Sequence, residues 1–215
     1  MQDPDQLPSQ LLAGHRTPQE QVLAGDHDAW QRLIDAVGPA WLLVTIRARM
    51  SSAMQQRYEP EDVLQETLLH AWRDRARCRW QGVRAFRAWL LEIADNRLRD
   101  LAQHDGRVKR GGRSDAALVQ VPEAALPPGT TTPGRLAAWR EQAESMHAAL
   151  TTLPDELREV VRLRLFDELP MEAVAARLGI GLSAAKHRLR KGAELFRRRV
   201  RLATTSGSRL AGSWP

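Results

Sequence analysis

The sequence predicts an all-α chain of two small helical domains joined by a flexible linker, the second ending in a helix-turn-helix. Three observations carry this. Apolar residues recur at three- and four-residue steps along most of the chain, and no stretch shows convincing strand alternation. A stretch rich in Gly, Pro and Thr, residues 104–134, breaks that periodicity in the middle. Residues 171–191, MEAVAARLGIGLSAAKHRLRK, read as a helix, a tight turn at Gly179 and a second helix loaded with cations.

The elements follow in order. Residues 1–20 are polar and proline-bearing and predict a disordered start. Residues 21–103 form the first expected domain. Trp30, Leu33, Ile34 and Val37 fall on one helical face, Gly38-Pro39 interrupts, and Trp41, Val44 and Ala48 resume the pattern. Pro60 suits a first helical position, with Glu61 and Asp62 next in the positive end of the helix dipole. That helix is expected to run to about Arg73. An irregular segment, Arg75–Arg84, precedes a helix from Arg84 to Leu101, on which Phe86, Trp89, Leu90, Ile93, Ala94 and Leu98 are spaced for burial or stacking. The second domain is expected over 135–202. Helical pattern returns near Leu136 and includes Met146, Ala149, Leu150 and Leu153, and Pro154 starts a helix bearing Leu157, Val160, Val161 and Leu165. In the helix-turn-helix, Val174, Ala175, Leu178, Ile180, Ala185 and Leu189 make the inner face, and Gly179 supplies the left-handed backbone that ends its first helix. Lys186, His187, Arg188, Arg190 and Lys191 are left for the outside, the pattern of a helix that enters a DNA major groove; a solvated basic face has the same pattern. Residues 203–215 hold enough Ser, Gly and Thr to predict a disordered tail.

Composition narrows the function classes. The net charge of +6 is modest, but its distribution is uneven. Residues 1–70 carry net −5, 71–113 net +7, 114–170 net −4 and 171–215 net +8. Two separate cationic blocks fit two contacts with a polyanion, whereas the acidic blocks would repel DNA and suit a basic protein. Cys78 is the only cysteine, so no intramolecular disulfide can form; a reducing cytoplasm is the expected location, with Cys78 a small apolar filler. No apolar run approaches the ~20 residues of a membrane span, and the N-terminus lacks a signal-peptide layout. There is no Gly-rich phosphate loop, no His/Cys metal spacing and no nucleophile–base set. The acid pairs Glu61-Asp62 and Asp155-Glu156 lie near helix starts, where dipole and capping roles account for them. Neither catalysis nor a cofactor is expected.

Three motifs stand out in order. YEPEDVLQETLLHAWR, Tyr58–Arg73, places Asp62, Gln65, Glu66 and Leu69 within about one helical face. FRAWLLEIADNRLRD, Phe86–Asp100, lies in the first basic block; LPDELREVVRLRLFDELPMEAVAARLGIGLSAAKHRLRK, Leu153–Lys191, spans the second domain. Together they resemble bacterial RNA polymerase sigma factors of the sigma-70 family. Their order and spacing resemble the short two-domain extracytoplasmic-function (ECF) group over roughly Asp28–Arg201, the linker excepted.

The resemblance implies partners and roles. Core RNA polymerase would be held through its largest-subunit coiled coil and its flap, with Asp62, Gln65, Glu66 and Leu69 on the docking face; a solvated acidic helix face is the alternative. On this reading Gln65→Ala with Glu66→Ala abolishes core binding and leaves the fold intact. Promoter DNA would be opened at the −10 element, where captured bases and a held strand offset unstacking of a few kcal/mol per step. The implied residues are Arg75, Arg77, Arg79, Trp80 and Arg84 around the irregular segment, Asn96 beside the recognised bases, and Trp89 either stacked on a base or packed in the core; Phe86 reads as core. Lys186, His187, Arg190 and Lys191 would read the −35 element, with Arg188 and Arg197–Arg199 placed for phosphates. The recognition helix departs from the common family pattern. Gly181 replaces the usual Ser or Thr cap, and Ala184 and Ala185 replace a Thr-Val pair, which thins the inter-helix core and leaves the helix tilt open. In the linker, Arg107, Lys109, Arg110 and Arg113 would touch the template strand, or the linker is a passive tether. The family also implies an anti-sigma factor as a partner. Two other readings stay open at this point: a stand-alone dimeric helix-turn-helix regulator, and a polymerase-binding adaptor without promoter specificity.

Overall fold

The computed structural model describes residues 25–78, 81–109 and 129–211, with Val22 and Pro127; for 107–109 and 204–211 it describes backbone alone. The described residues are helical, with no strand among them. They fall into two compact units: the described parts of Met1–Pro39 with Ile46–Leu136, and of Ala40–Thr45 with Ala137–Pro215.

The first unit opens with α1, His27–Val37. Asp26 caps it by accepting from the Ala29 amide at 2.9 Å, and Gly38, at φ 61°, ends it by donating to the Ile34 carbonyl. Trp30, Ile34 and Val37 are buried, as their spacing predicts. α2, Ala40–Arg49, follows Pro39 directly; its Ala40–Thr45 part groups with the second unit and only the rest with the first. Its inner residues differ from the expected stripe: everything from Ala40 to Ile46 is buried, and Ala48 is exposed. A helix apolar on all sides belongs inside a core and shows little periodicity. After the short α3, Ser52–Gln55, the chain enters α4, Pro60–Arg73, with Pro60 first and Glu61 and Asp62 in the opening turn. A single 3-10 turn, Arg75–Arg77, leads toward α5, Val83–Lys109. Val63, Leu64 and Leu68 of α4 and Phe86, Leu90, Ala94 and Leu101 of α5 are buried with Trp30 and Ile34.

α5 runs two turns past Leu101, where the sequence suggested an end, and Gly106 lies within it. The anchor is Asp105. It is buried, accepts from the Tyr58 hydroxyl at 2.8 Å and pairs with Arg57 at 2.9 Å. A tertiary contact of this kind offsets the ~1 kcal/mol cost of a helical glycine.

The second unit contains α6, Pro133–Thr151, and α7, Asp155–Val161. Arg158 of α7 donates to the Leu150, Thr151 and Leu153 carbonyls at the end of α6, satisfying acceptors that the helix leaves open. A π-helical turn, Arg162–Phe166, continues α7. Arg162 secures it by pairing with Glu159 at 2.9 Å and Asp167 at 2.6 Å. Then come α8, Met171–Leu178, and α9, Leu182–Ala211. Val160, Leu163 and Val174 form a buried cluster on which Leu169, Met171, Leu178 and Leu189 pack. α9 continues to Ala211, into the segment whose composition suggested a disordered tail; residues 212–215 lie outside the described residues. Once a helix is nucleated, each further residue adds a hydrogen bond at small cost.

Candidate polymerase and nucleic-acid interfaces

The α4 residues do not share one free face. Asp62 is exposed and Gln65 half-buried, but Leu69 is buried and Glu66 is only 3% exposed. Glu66 accepts from Nε and Nη2 of Arg97 on α5, at 2.9 and 2.6 Å, and Arg97 also reaches Asp100 at 3.0 Å. Glu66 therefore joins α4 to α5 and Leu69 is buried, leaving Asp62 and Gln65 as the outward pair. Although Asp62 is exposed, partial desolvation against the helix, followed by repulsion from Glu59 and then Glu61, holds its carboxyl above its ordinary pKa. One turn on, burial and then Arg97 keep His70 below its ordinary pKa of 6.5.

The first basic block is built on a run of rings that the sequence reading did not assemble. Trp72 meets His27 at 5.3 Å and Trp30 at 5.5 Å; Trp30 meets Phe86 at 6.1 Å, and Phe86 meets Trp89 at 5.6 Å. Trp30 and Phe86 are sealed in the core, whereas Trp72 and Trp89 are half-buried at its two ends. Arg75 lies over the Trp72 ring at 4.1 Å and donates to the Trp72 carbonyl at 2.8 Å, so its head is committed to the protein. Arg77 is the opposite case: its side chain is 82% exposed, 3.8 Å from Asp74. Arg84 is half-buried. Asn96 is exposed on α5, two turns beyond Trp89 and on the same face. The exposed Glu92 and Arg99 lie along that face too, and period alone picks them out. Cys78 is half-buried, and burial raises its thiol pKa, which fits a filler. Arg79, Trp80, Arg110, Arg113 and the side chains of Arg107 and Lys109 lie outside the described residues.

In the second unit the turn is as the sequence requires. Gly179 sits at φ 63°, the Ile180 amide bonds the Ala175 carbonyl at 3.1 Å, and the Gly179 amide bonds the Ala176 carbonyl at 3.2 Å, the paired bonds of a glycine C-cap. The Ala185 amide bonds the Gly181 carbonyl at 3.0 Å, so α9 starts on Gly181 without a side-chain cap. Of the expected inner residues, Val174, Ala175 and Ala185 are buried, and Leu178, Ile180 and Leu189 are half-buried. Lys186, His187, Arg190 and Lys191 are all exposed, with Arg190 3.4 Å from the His187 ring. Arg188 is set apart from them: it is half-buried and paired with Glu156 of α7 at 3.2 Å. Among the described residues no group of His, Cys, Asp or Glu is arranged to hold a metal.

Comparison with known proteins places these elements. Residues 42–108 match the family model described as Sigma-70 region 2, and residues 143–194 match that of Sigma-70, region 4. The chain is 27% identical over 202 residues to the ECF RNA polymerase sigma-E factor of Salmonella typhimurium, covering 91% of this chain and 96% of that one; the sigma-E factor of Escherichia coli K12 gives the same values. A probable RNA polymerase sigma factor RfaY of Xanthomonas campestris is 28% identical over 167 residues, 77% of this chain and 39% of its own length. The two region models fall in the right order, one on the α4–α5 pair and one on the helix-turn-helix. With more than half its length inside them, the chain belongs to the sigma-70 family of RNA polymerase sigma factors, in the ECF group.

Proposed function

We propose that this chain is a non-catalytic specificity subunit with its tasks divided between two domains, expected over residues 21–103 and 135–202 and joined by the residues between the end of α5 at Lys109 and the start of α6 at Pro133. The first binds core RNA polymerase with Asp62 and Gln65 of α4 and recognises and opens the −10 element. There Arg77 holds the strand, and Trp89 and Asn96 on one face of α5 meet the bases. Arg84 adds to that contact, the family motif assigns Arg79 and Trp80 to it as well, and Arg75 braces the Trp72 ring beside it. The second domain docks on intact duplex at the −35 element through Lys186, His187, Arg190 and Lys191. Guanidinium and ammonium heads suit guanine acceptors and phosphates there. The work takes place in the cytoplasm, under the control of an anti-sigma partner.

The observation that carries this reading is the sorting of α9. Ala185, Leu189, Phe196 and Arg188 turn toward the preceding elements of the second unit, while four cationic or imidazole side chains remain on the open side with no carboxylate of the described residues paired to them. A stand-alone regulator would need that helix too, but not an α4–α5 pair matching the sigma-70 region 2 model. No helix of the described residues is long and apolar enough to cross a membrane.

The test is run-off transcription with core polymerase on a promoter library randomised upstream of the start. The expected result is a small set of enriched templates bearing two spaced elements, dependent on the added chain. Asp62→Ala with Gln65→Ala should reduce core association at least tenfold in a pull-down without changing the melting temperature. Enrichment of a single palindrome bound without polymerase would replace this reading with that of a regulator.

A further inference from the structure

We propose that Gly192 and the Arg188–Glu156 pair are positioning residues that set the tilt of the recognition helix on α7, and with it which bases of the upstream element are read. This rests on the function proposed above. Arg188, Gly192 and Phe196 stand at four-residue steps, one per turn, along the inner side of α9. Each touches a different point of the preceding elements. Arg188 Nη2 lies 3.2 Å from Glu156 Oε2, and the Phe196 ring meets Phe166 edge-on at 5.8 Å. Between them Gly192 is pressed onto α7. A Cβ at 192 would fall 2.8 Å from Val161 Cγ2, 3.2 Å from the Leu157 carbonyl oxygen and 3.4 Å from Leu157 Cβ.

Those neighbours cannot give way cheaply. Val161 is fully buried where α7 passes into the π turn, and the oxygen is backbone. Relief of the clash would have to come from α9. Reaching ordinary contact needs about 0.8 Å at residue 192. With the Phe196 contact as pivot, residue 192 is about 6 Å along the axis and Lys186 about 15 Å. A tilt that clears the methyl would then carry Lys186 and His187 by roughly 2 Å, well beyond the ~0.5 Å spread of hydrogen-bond distances. The absent Cβ at 192 therefore decides where side chains six residues away meet the bases. Of the expected Ala184-Ala185 pair only Ala185 is buried and Ala184 is exposed, and close approach at Gly192 adds contact to the thin packing that the small Ala185 leaves. Arg188, expected on a phosphate, braces the same arrangement through Glu156.

The experiment uses full-length chain with core polymerase and the randomised library. The wild-type holoenzyme is expected to enrich an upstream and a downstream element. The Gly192→Ala holoenzyme should form normally and enrich the same downstream element. Its preference for the wild-type upstream element should fall about tenfold or move to another sequence. Adding Val161→Ala, which removes the obstructing carbon, should restore the original preference. A purely structural weakening lowers the amount of active protein but leaves the enriched sequence unchanged, so the readout separates the two. An unchanged upstream preference in Gly192→Ala would overturn the proposal, as would a loss that Val161→Ala does not repair. A wild-type holoenzyme that enriches no upstream element would reject the functional reading itself.

Discussion

Glu66 is where the chemistry of a single side chain most changes what experiment to do. Its carboxylate is enclosed and shared with the Arg97 guanidinium, so removing it leaves that largely enclosed cation with only the exposed Asp100 as partner. Leaving such a group under-satisfied costs about 1–3 kcal/mol, whereas substitution of the exposed Asp62 stays within about 0.5 kcal/mol and the half-buried Gln65 gives up no ion pair. Glu66→Ala is therefore expected to lower the melting temperature of the first unit by on the order of 10 °C. The double substitution Gln65→Ala with Glu66→Ala would lose polymerase binding partly by unfolding. Thermal melts of the separate variants check this, with equal melts for Glu66→Ala and Gln65→Ala as the contrary result. A second residue-scale test concerns Arg188. If it braces α9, Glu156→Gln loosens upstream selectivity; if it were chiefly a phosphate ligand, releasing it would strengthen DNA binding and steepen its salt dependence by about one charge.

At the scale of elements, α5 depends on contacts remote in sequence. The last two turns of α5 hang on Asp105, itself held by Tyr58 and Arg57. Asp105→Ala should raise amide hydrogen exchange over residues 102–109 by one to two orders of magnitude, for a local loss of about 1–3 kcal/mol, while the amides near Leu90 stay protected. Uniform loss of protection along α5 would contradict this. Acid acts on the two units through different groups. His70 has its pKa depressed by burial, so the unfolded chain takes up a proton first. Its contribution is whole above pH 6.5 and is lost as the pH falls from there toward the folded pKa. Glu159 is depressed chiefly by its hydrogen bond from Arg162, so its contribution holds above 4.5 and disappears as the pH falls through the folded pKa. His70→Gln should flatten the stability decline of the first unit below pH 6.5 and leave the second unit's acid transition unchanged, as followed by urea melts at stepped pH.

At the scale of the whole molecule, local rules were read well and distant ones poorly. Pro60, Gly38 and Gly179 act on their own neighbours, so the helix boundaries they mark could be placed from the sequence alone. The all-α class followed from period for the same reason, and the three motifs were legible through their resemblance to sigma-70 factors. The face of α4 could not be resolved that way. Positions 62, 65, 66 and 69 share one side of a helix, and only Arg97, thirty-one residues on, decides that Glu66 turns inward. Gly192 carries no local signal in the sequence, because its role rests on Val161, thirty-one residues earlier, packed against it. The ring path from Trp72 to Trp89 joins three helices and left no local signal.

The central claim is that the first unit opens DNA while the second holds duplex upstream. Permanganate footprinting of holoenzyme on a template enriched from the library tests it most directly, because permanganate attacks unpaired thymines. Reactive thymines are expected only when both the chain and core polymerase are present, confined to the downstream element and start site, with the upstream element unreactive. Lys186→Ala with Arg190→Ala should lower occupancy without moving the reactive segment. Thymine reactivity that is independent of the chain, or that falls in the upstream element, would contradict the account.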